Sequence, residues 1–178
     1  YHKNMREYKN SKLKLFKTAS AGVVNLKMKW AEEFLGQIKG KKWGYVWEGD
    51  GTSLSTLDSK RTGDYQTVKA EKIVLRPDGS DFLIQGESFH LQLPGIFNLE
   101  NALAAVSAAL SQGIELKTAS RALAQLEKVP GRLDRVENNL GLKIIIDYAV
   151  TPDSMEKLGD WAESLKAAGQ KIIWVFGA

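Results

Sequence analysis

The chain has 178 residues, of which 43% are apolar and 26% charged, with a formal net charge of +4 and no cysteine. That composition suits a folded globular core and excludes both a disulfide framework and a thiolate zinc site. No apolar run approaches the roughly 20 residues of a membrane span and no leader-like segment precedes the first charges, so a cytoplasmic protein without membrane contact is expected. The lysines lie mostly within residues 3–43, and the aromatic residues are scattered. This favours an anionic ligand over nucleic acid, which calls for a basic stripe interleaved with aromatic rings.

In chain order, residues 4–17 read as a helix, with Met5, Tyr8, Lys12 and Leu15-Phe16 at helical spacing. Residues 21–26 read as a buried strand ending in a polar turn, and residues 30–38 as a short helix. Residues 41–65 are rich in Gly, Ser, Thr and Asp around one strand at Trp43–Trp47. Val68–Leu75 and Asp81–Gln85 flank Arg76-Pro77-Asp78-Gly79-Ser80, a hairpin turn, and Ser88–Leu93 offers a third antiparallel strand. Then come two amphipathic helices. Residues 98–112 present Leu99, Ala102, Leu103, Val106, Ala109 and Leu110 on one face before Gly113, and residues 117–126 repeat the pattern. After Val129-Pro130-Gly131-Arg132, a strand at Leu142–Ile146, a helix at Ser154–Ala168 and an apolar run at 172–178 suggest a strand, helix, strand unit of a parallel sheet. The break and the changed rhythm place a domain boundary near 132–139. Both ends read as interior to a longer protein.

Three places carry chemistry. In Leu93-Pro94-Gly95-Ile96-Phe97-Asn98-Leu99-Glu100-Asn101 a turn delivers two asparagines to a helix opening. Asn98 is placed to cap that helix, and Asn101 lies one turn on. A carboxamide offers donor and acceptor together, the complement of an adenine edge; spacing alone fits this reading and simple helix bracing equally. Asp147 follows a strand at the carboxyl end where α/β folds bind ligands, and its carboxylate can accept from ribose hydroxyls. Arg132, in the preceding turn, can pair with phosphate through its planar fork. Helix capping by Asp147 and a surface charge at Arg132 are the alternatives. Together, the four residues describe base, ribose and phosphate contacts of one nucleotide.

The segment 93–105, Pro130-Gly131-Arg132, and Ile146-Asp147-Tyr148-Ala149-Val150-Thr151-Pro152-Asp153-Ser154 resemble the Mur ligase family, most nearly the branch adding the third residue to the peptidoglycan precursor. Tyr1-His2, Tyr8, Ser11-Lys12, Leu15-Phe16 and Ala21-Gly22-Val23-Val24-Asn25 agree with the same pattern, which is weakest from Trp43 to Tyr65. The resemblance implies an α/β fold: residues 1–133 would be the C-terminal part of a central ATP-binding domain with antiparallel strands, and 134–178 the start of a Rossmann-like domain. It implies ATP and magnesium as cofactors, with UDP-N-acetylmuramoyl-dipeptide and diaminopimelate or lysine as substrates. The carboxylate is phosphorylated by ATP and the acyl phosphate is attacked by the incoming amine.

Carried over residue by residue, the resemblance makes Lys12 a lysine that is carbamylated to an anionic magnesium ligand, which calls for a partly desolvated amine. It puts Asn98 and Asn101 on the adenine side, Arg132 on the phosphate side and Asp147 on the ribose. His2 matches a histidine near the metal region without being assigned as a ligand. A glycine-rich phosphate loop ending in Gly-Lys-Ser/Thr is not in the sequence and is expected upstream, so these residues alone are expected to be inactive. Two positions depart from the pattern: Val150 stands where histidine is usual, and Lys27-Met28 where an acidic pair is common. Folylpolyglutamate synthase and cyanophycin synthetase share the chemistry and remain alternatives, as does a noncatalytic nucleotide-binding module.

Overall fold

A computed structural model describes residues 3–49 and 64–177. The chain divides into two compact units, Tyr1–Leu126 and Glu127–Ala178. His2 and most of the loop expected between Trp47 and Tyr65 lie outside the described residues.

The first unit is a five-stranded mixed sheet with helices packed against it. Helix α1 (Met5–Thr18) starts where Asn4 accepts the backbone N–H of Glu7 at 3.0 Å, the N-cap bond that satisfies an otherwise unpaired amide. It leads into β1 (Ala21–Asn25), then α2 (Ala31–Gln37) and β2 (Lys41–Trp47). β1 and β2 pair in parallel from Ala21↔Lys41 to Asn25↔Tyr45, a strand, helix, strand crossover. Leu13, Val24, Leu26, Phe34, Leu35, Ile38 and Val46 form one core cluster, with Phe16 edge-on to Phe34 at 4.9 Å. Lys9 ties α1 to α2 by donating to both carboxylate oxygens of Glu33, at 2.6 and 2.7 Å.

β3 (Gln66–Arg76) changes partner midway. Its first residues pair in parallel with β2, and its last pair antiparallel with β4 (Gly79–Ile84). The register shifts between Glu71 and Val74, where Lys72 has φ 51°; the bulge bends the strand from one ladder to the other. β5 (Glu87–Leu91) completes the sheet in the order β1-β2-β3-β4-β5. Phe82 and Phe89 face each other across β4 and β5 with ring centroids 5.2 Å apart, both buried.

Helix α3 (Ile96–Ser111) packs on β1, β2 and β3, and α4 (Leu116–Ala124) on β5. The buried face of α3 is Leu99, Ala102, Leu103, Val106, Ser107 and Ser111, so Ala109 and Leu110 lie at its margin. Lys41 donates to the Ser111 carbonyl at 3.0 Å, setting a cation at the negative end of the helix.

On the hairpin, the Asp81 carboxylate takes bonds from the Arg76 guanidinium and, at 2.8 Å, from the His90 ring. Arg76 first, and His90 second, hold its carboxyl well below the usual carboxylate range. A lowered acid stabilises the fold above the unfolded value, near pH 3.9, and that contribution is lost as the pH falls below it. Because the group is exposed the effect is small. Asp81→Asn is expected to flatten the acid side of the pH dependence of unfolding, measured by denaturation from about pH 2 to 6.

In the second unit, β6 (Asp134–Val136) and β7 (Ile144–Ile146) form an antiparallel pair. Asn138 staples their connection, donating to the carbonyls of Val136 and Leu142 at 3.1 and 2.8 Å. Helix α5 spans Pro152–Ser164, starting before the expected Ser154 because Thr151 and Ser154 form a reciprocal capping box and Pro152 is suited to a first turn.

The expected parallel strand at 172–178 is not formed within the described residues. Residues 171–177 have no ladder partner, and β7 pairs antiparallel with β6 instead. A parallel strand exists only beside another strand with both faces covered, whereas Val175 is 94% exposed. No helix among the described residues is long and apolar enough to cross a membrane.

Candidate functional site

The asparagine turn is built differently from the capping arrangement expected. α3 begins at Ile96, and its N-cap is Gly95, with φ 87° and no side-chain cap bond. Only a residue free to adopt that φ turns the chain so abruptly into the helix. Asn98 is therefore inside the first turn. Its side chain is 2% exposed and reaches back to donate to the Pro94 carbonyl at 2.7 Å. This locks the Pro94-Gly95 turn onto the helix and satisfies a buried carbonyl.

Asn101 stands one turn on and is exposed. Its amide donates to Asn98 Oδ1 across a long 3.4 Å, which orients the Asn101 carboxamide without occupying its oxygen. The two asparagines thus divide the work: Asn98 braces, and Asn101 presents donor and acceptor at the surface.

Two further residues of the first unit receive no role from sequence. Tyr45 on β2 is hydrogen bonded to Asn25 at the end of β1, and its phenol is pushed up by burial, then by the Glu100 carboxylate, with the Asn25 bond acting the other way. Lys27 lies over the Trp47 ring, 3.8 Å from its centroid. Where the usual pattern has carboxylates, this chain sets a cation on an aromatic face.

Lys12 is exposed on α1, its ammonium 5.5 Å from the Tyr8 ring centroid. The described residues around it do not provide the desolvation that a neutral amine calls for. They also contain no group of three or more His, Cys, Asp or Glu able to hold a metal ion. The residues described here therefore do not fit a magnesium site by themselves.

In the second unit the structure brings the Arg132 turn and the Asp147 loop together. Asp147 follows the last residue of β7, as expected. Its Oδ2 accepts from Leu133 N–H at 2.9 Å and its Oδ1 from Ala149 N–H at 2.8 Å. A carboxylate has about four lone-pair positions, so each oxygen keeps capacity for a further donor such as a ribose hydroxyl. Arg132 is exposed between Gly131, with φ 69°, and Leu133, with φ 48° and 4% exposed. Its own N–H closes a tight turn on the Val129 carbonyl at 3.0 Å. Val150, where histidine is usual, is 87% exposed and offers no polar contact.

Residues 1–109 match the Mur ligase middle domain, and residues 131–178 match the Mur ligase glutamate ligase domain. The UDP-N-acetylmuramoyl-L-alanyl-D-glutamate–2,6-diaminopimelate ligase of Clostridium tetani is 33% identical over 99% of this chain, and that of Caldanaerobacter subterraneus subsp. tengcongensis is 35% identical over 100% of it. In both cases the match covers 34% of the relative, so the chain spans about a third of the length of these curated relatives. Among solved structures, MurF from Acinetobacter baumannii superposes with a TM-score of 0.71 at 22% identity, over 92% of this chain and 34% of that one. A pseudomurein peptide ligase type C from Methanothermus fervidus does so with a TM-score of 0.65 at 21% identity, over 94% of this chain and 39% of that one. At such identities the likeness speaks for the fold.

Proposed function

The chain belongs to the Mur ligase family, and from that premise we propose that its whole protein is an ATP-dependent amide-forming ligase of peptidoglycan synthesis. In this reading it joins 2,6-diaminopimelate to UDP-N-acetylmuramoyl-L-alanyl-D-glutamate, as a UDP-N-acetylmuramyl-tripeptide synthetase of the cytoplasm. The observation that carries the reading is the match of nearly the entire chain, at 30–35% identity, to several relatives that share this one name.

In that reaction a substrate carboxylate oxygen attacks the γ-phosphorus of ATP and ADP leaves. The amine of the incoming amino acid then attacks the acyl carbon, and phosphate leaves. The residues of this chain serve the nucleotide. The Asn101 carboxamide meets the adenine edge, with Asn98 fixing its direction. Asp147 accepts from the ribose, and the Arg132 guanidinium neutralises phosphate charge as it develops. Domain assignment follows the same reading, with residues 1–133 in the ATP-binding domain and 134–178 in the domain after it. Lys12 is retained as the lysine that is carbamylated, on the family pattern alone. Magnesium, when bound, would screen phosphate charge, and apart from a carbamylated Lys12 its ligands would come from outside the described residues.

The test is ligation by the full-length protein. Purified enzyme is expected to form the amide with meso-diaminopimelate in an ATP-dependent manner and to discriminate against lysine, while residues 1–178 alone form none. Preference for lysine overturns the substrate, and absence of any ATP-dependent amide formation overturns the activity.

A further inference from the structure

The Pro130-Gly131-Arg132 turn is gripped at two points from one loop. On one side of Arg132, the Asp147 carboxylate holds the N–H of Leu133. On the other, the Gly131 carbonyl accepts from the N–H of Tyr148 at 3.0 Å, and the Tyr148 ring lies over the Gly131 α-carbon. A methyl group built on Gly131 would come within 2.6 Å of Tyr148 Cδ2 and Cζ, inside van der Waals contact. The ring thus fills the space a side chain would need. Gly131 itself is buried although the ring above it is 64% exposed, so one ring face is spent on the turn and the other faces out. The phenol hydroxyl makes no hydrogen bond among the described residues.

Left-handed φ values at both Gly131 and Leu133 mean that the turn does not hold its shape by local preference; a non-glycine residue there is strained unless its surroundings fix it. The fixing comes from residues 147 and 148, adjacent in sequence and acting on either side of Arg132.

We propose that Tyr148 is a positioning residue for Arg132: its ring, packed on Gly131, sets the direction in which the guanidinium leaves the turn. It acts by shape, and neither its hydroxyl nor its charge takes part. The proposal rests on the nucleotide reading of Arg132 given above.

The experiment compares Arg132→Ala, Tyr148→Ala, Tyr148→Phe and the double variant Arg132→Ala/Tyr148→Ala in the full-length ligase, measuring kcat and the apparent KM for ATP. Tyr148→Leu, which keeps apolar bulk without a flat ring, replaces Tyr148→Ala if the latter does not fold. Tyr148→Ala or Tyr148→Leu is expected to raise the KM for ATP about tenfold with little change in KM for the amino acid. Tyr148→Phe behaves as wild type, and the double variant is no worse than Arg132→Ala, because one residue acts through the other. If Arg132→Ala raises the KM and Tyr148→Ala leaves it unchanged, or if the two effects add in full, the positioning role is wrong while the nucleotide reading stands. If Arg132→Ala itself changes nothing, the nucleotide reading of the turn fails, and this role with it.

Discussion

Asn98→Ala is expected to destabilise the first unit by about 3 kcal/mol, the sum of a buried hydrogen bond lost and a cavity left behind. The Pro94 carbonyl, now bonded at 2.7 Å, would be left without its donor in a site where Asn98 is 2% exposed. Asn98→Asp is no rescue, since a carboxylate cannot donate to that carbonyl and would be charged in a dry place. Chemical denaturation of the wild type and both variants, followed by tryptophan fluorescence, checks this. Trp43 and Trp47 are buried in β2, on which α3 packs. A midpoint within error of wild type would mean that the turn is held by other contacts. Asn101→Ala, at an exposed position, should change stability by less than about 0.5 kcal/mol.

The second large effect belongs to Asp147→Ala. Two backbone amides, of Leu133 and Ala149, lose a charged acceptor, and Leu133 loses the contact that holds its left-handed φ of 48°. Hydrogen bonds to a charged group are worth about 1.5–3 kcal/mol each, so the Arg132 turn should loosen and ATP binding should weaken by at least about tenfold. Asp147→Asn keeps an acceptor for one amide only and should fall between. Hydrogen exchange at the Leu133 amide separates the two consequences: it accelerates in Asp147→Ala whether or not nucleotide is present. Unchanged exchange would mean that the carboxylate does not hold the turn.

Much of the fold was legible because local chemistry and periodicity agree over long stretches. The helix from Met5, the strand pair joined through Pro77-Asp78, and the helix of Leu99, Leu103 and Val106 all form close to where their patterns place them. The misreadings came where tertiary contacts decide. Asn98 has the chemistry of a cap, yet the helix starts at Ile96 because Gly95, with φ 87°, makes the turn without a side-chain cap, and Asn98 braces it from inside the first turn. The run at 172–176 has the composition of a buried strand, but composition supplies no neighbour, and β7 is paired with β6 through a short local connection.

The site was legible as a set of residue types and obscure as a division of labour. Asn98 and Asn101 look alike in sequence, and only burial separates the brace from the exposed carboxamide. Asp147 reads from sequence as a ligand contact, and the structure gives it a second task beside that one: each of its oxygens accepts from a backbone amide while keeping room for a further donor. Tyr148 stood inside the motif without a role, because what it fills is the empty space over a glycine 17 positions away in the chain.

In the proposed ATP site the Asn101 carboxamide supplies the contact to the base. Calorimetric titration of ATP into the full-length wild-type protein and its Asn101→Ala variant tests it most directly. Affinity is expected to weaken about tenfold, the loss of roughly one to two hydrogen bonds to the base, with an unchanged unfolding midpoint. Equal affinity in the two proteins would contradict it.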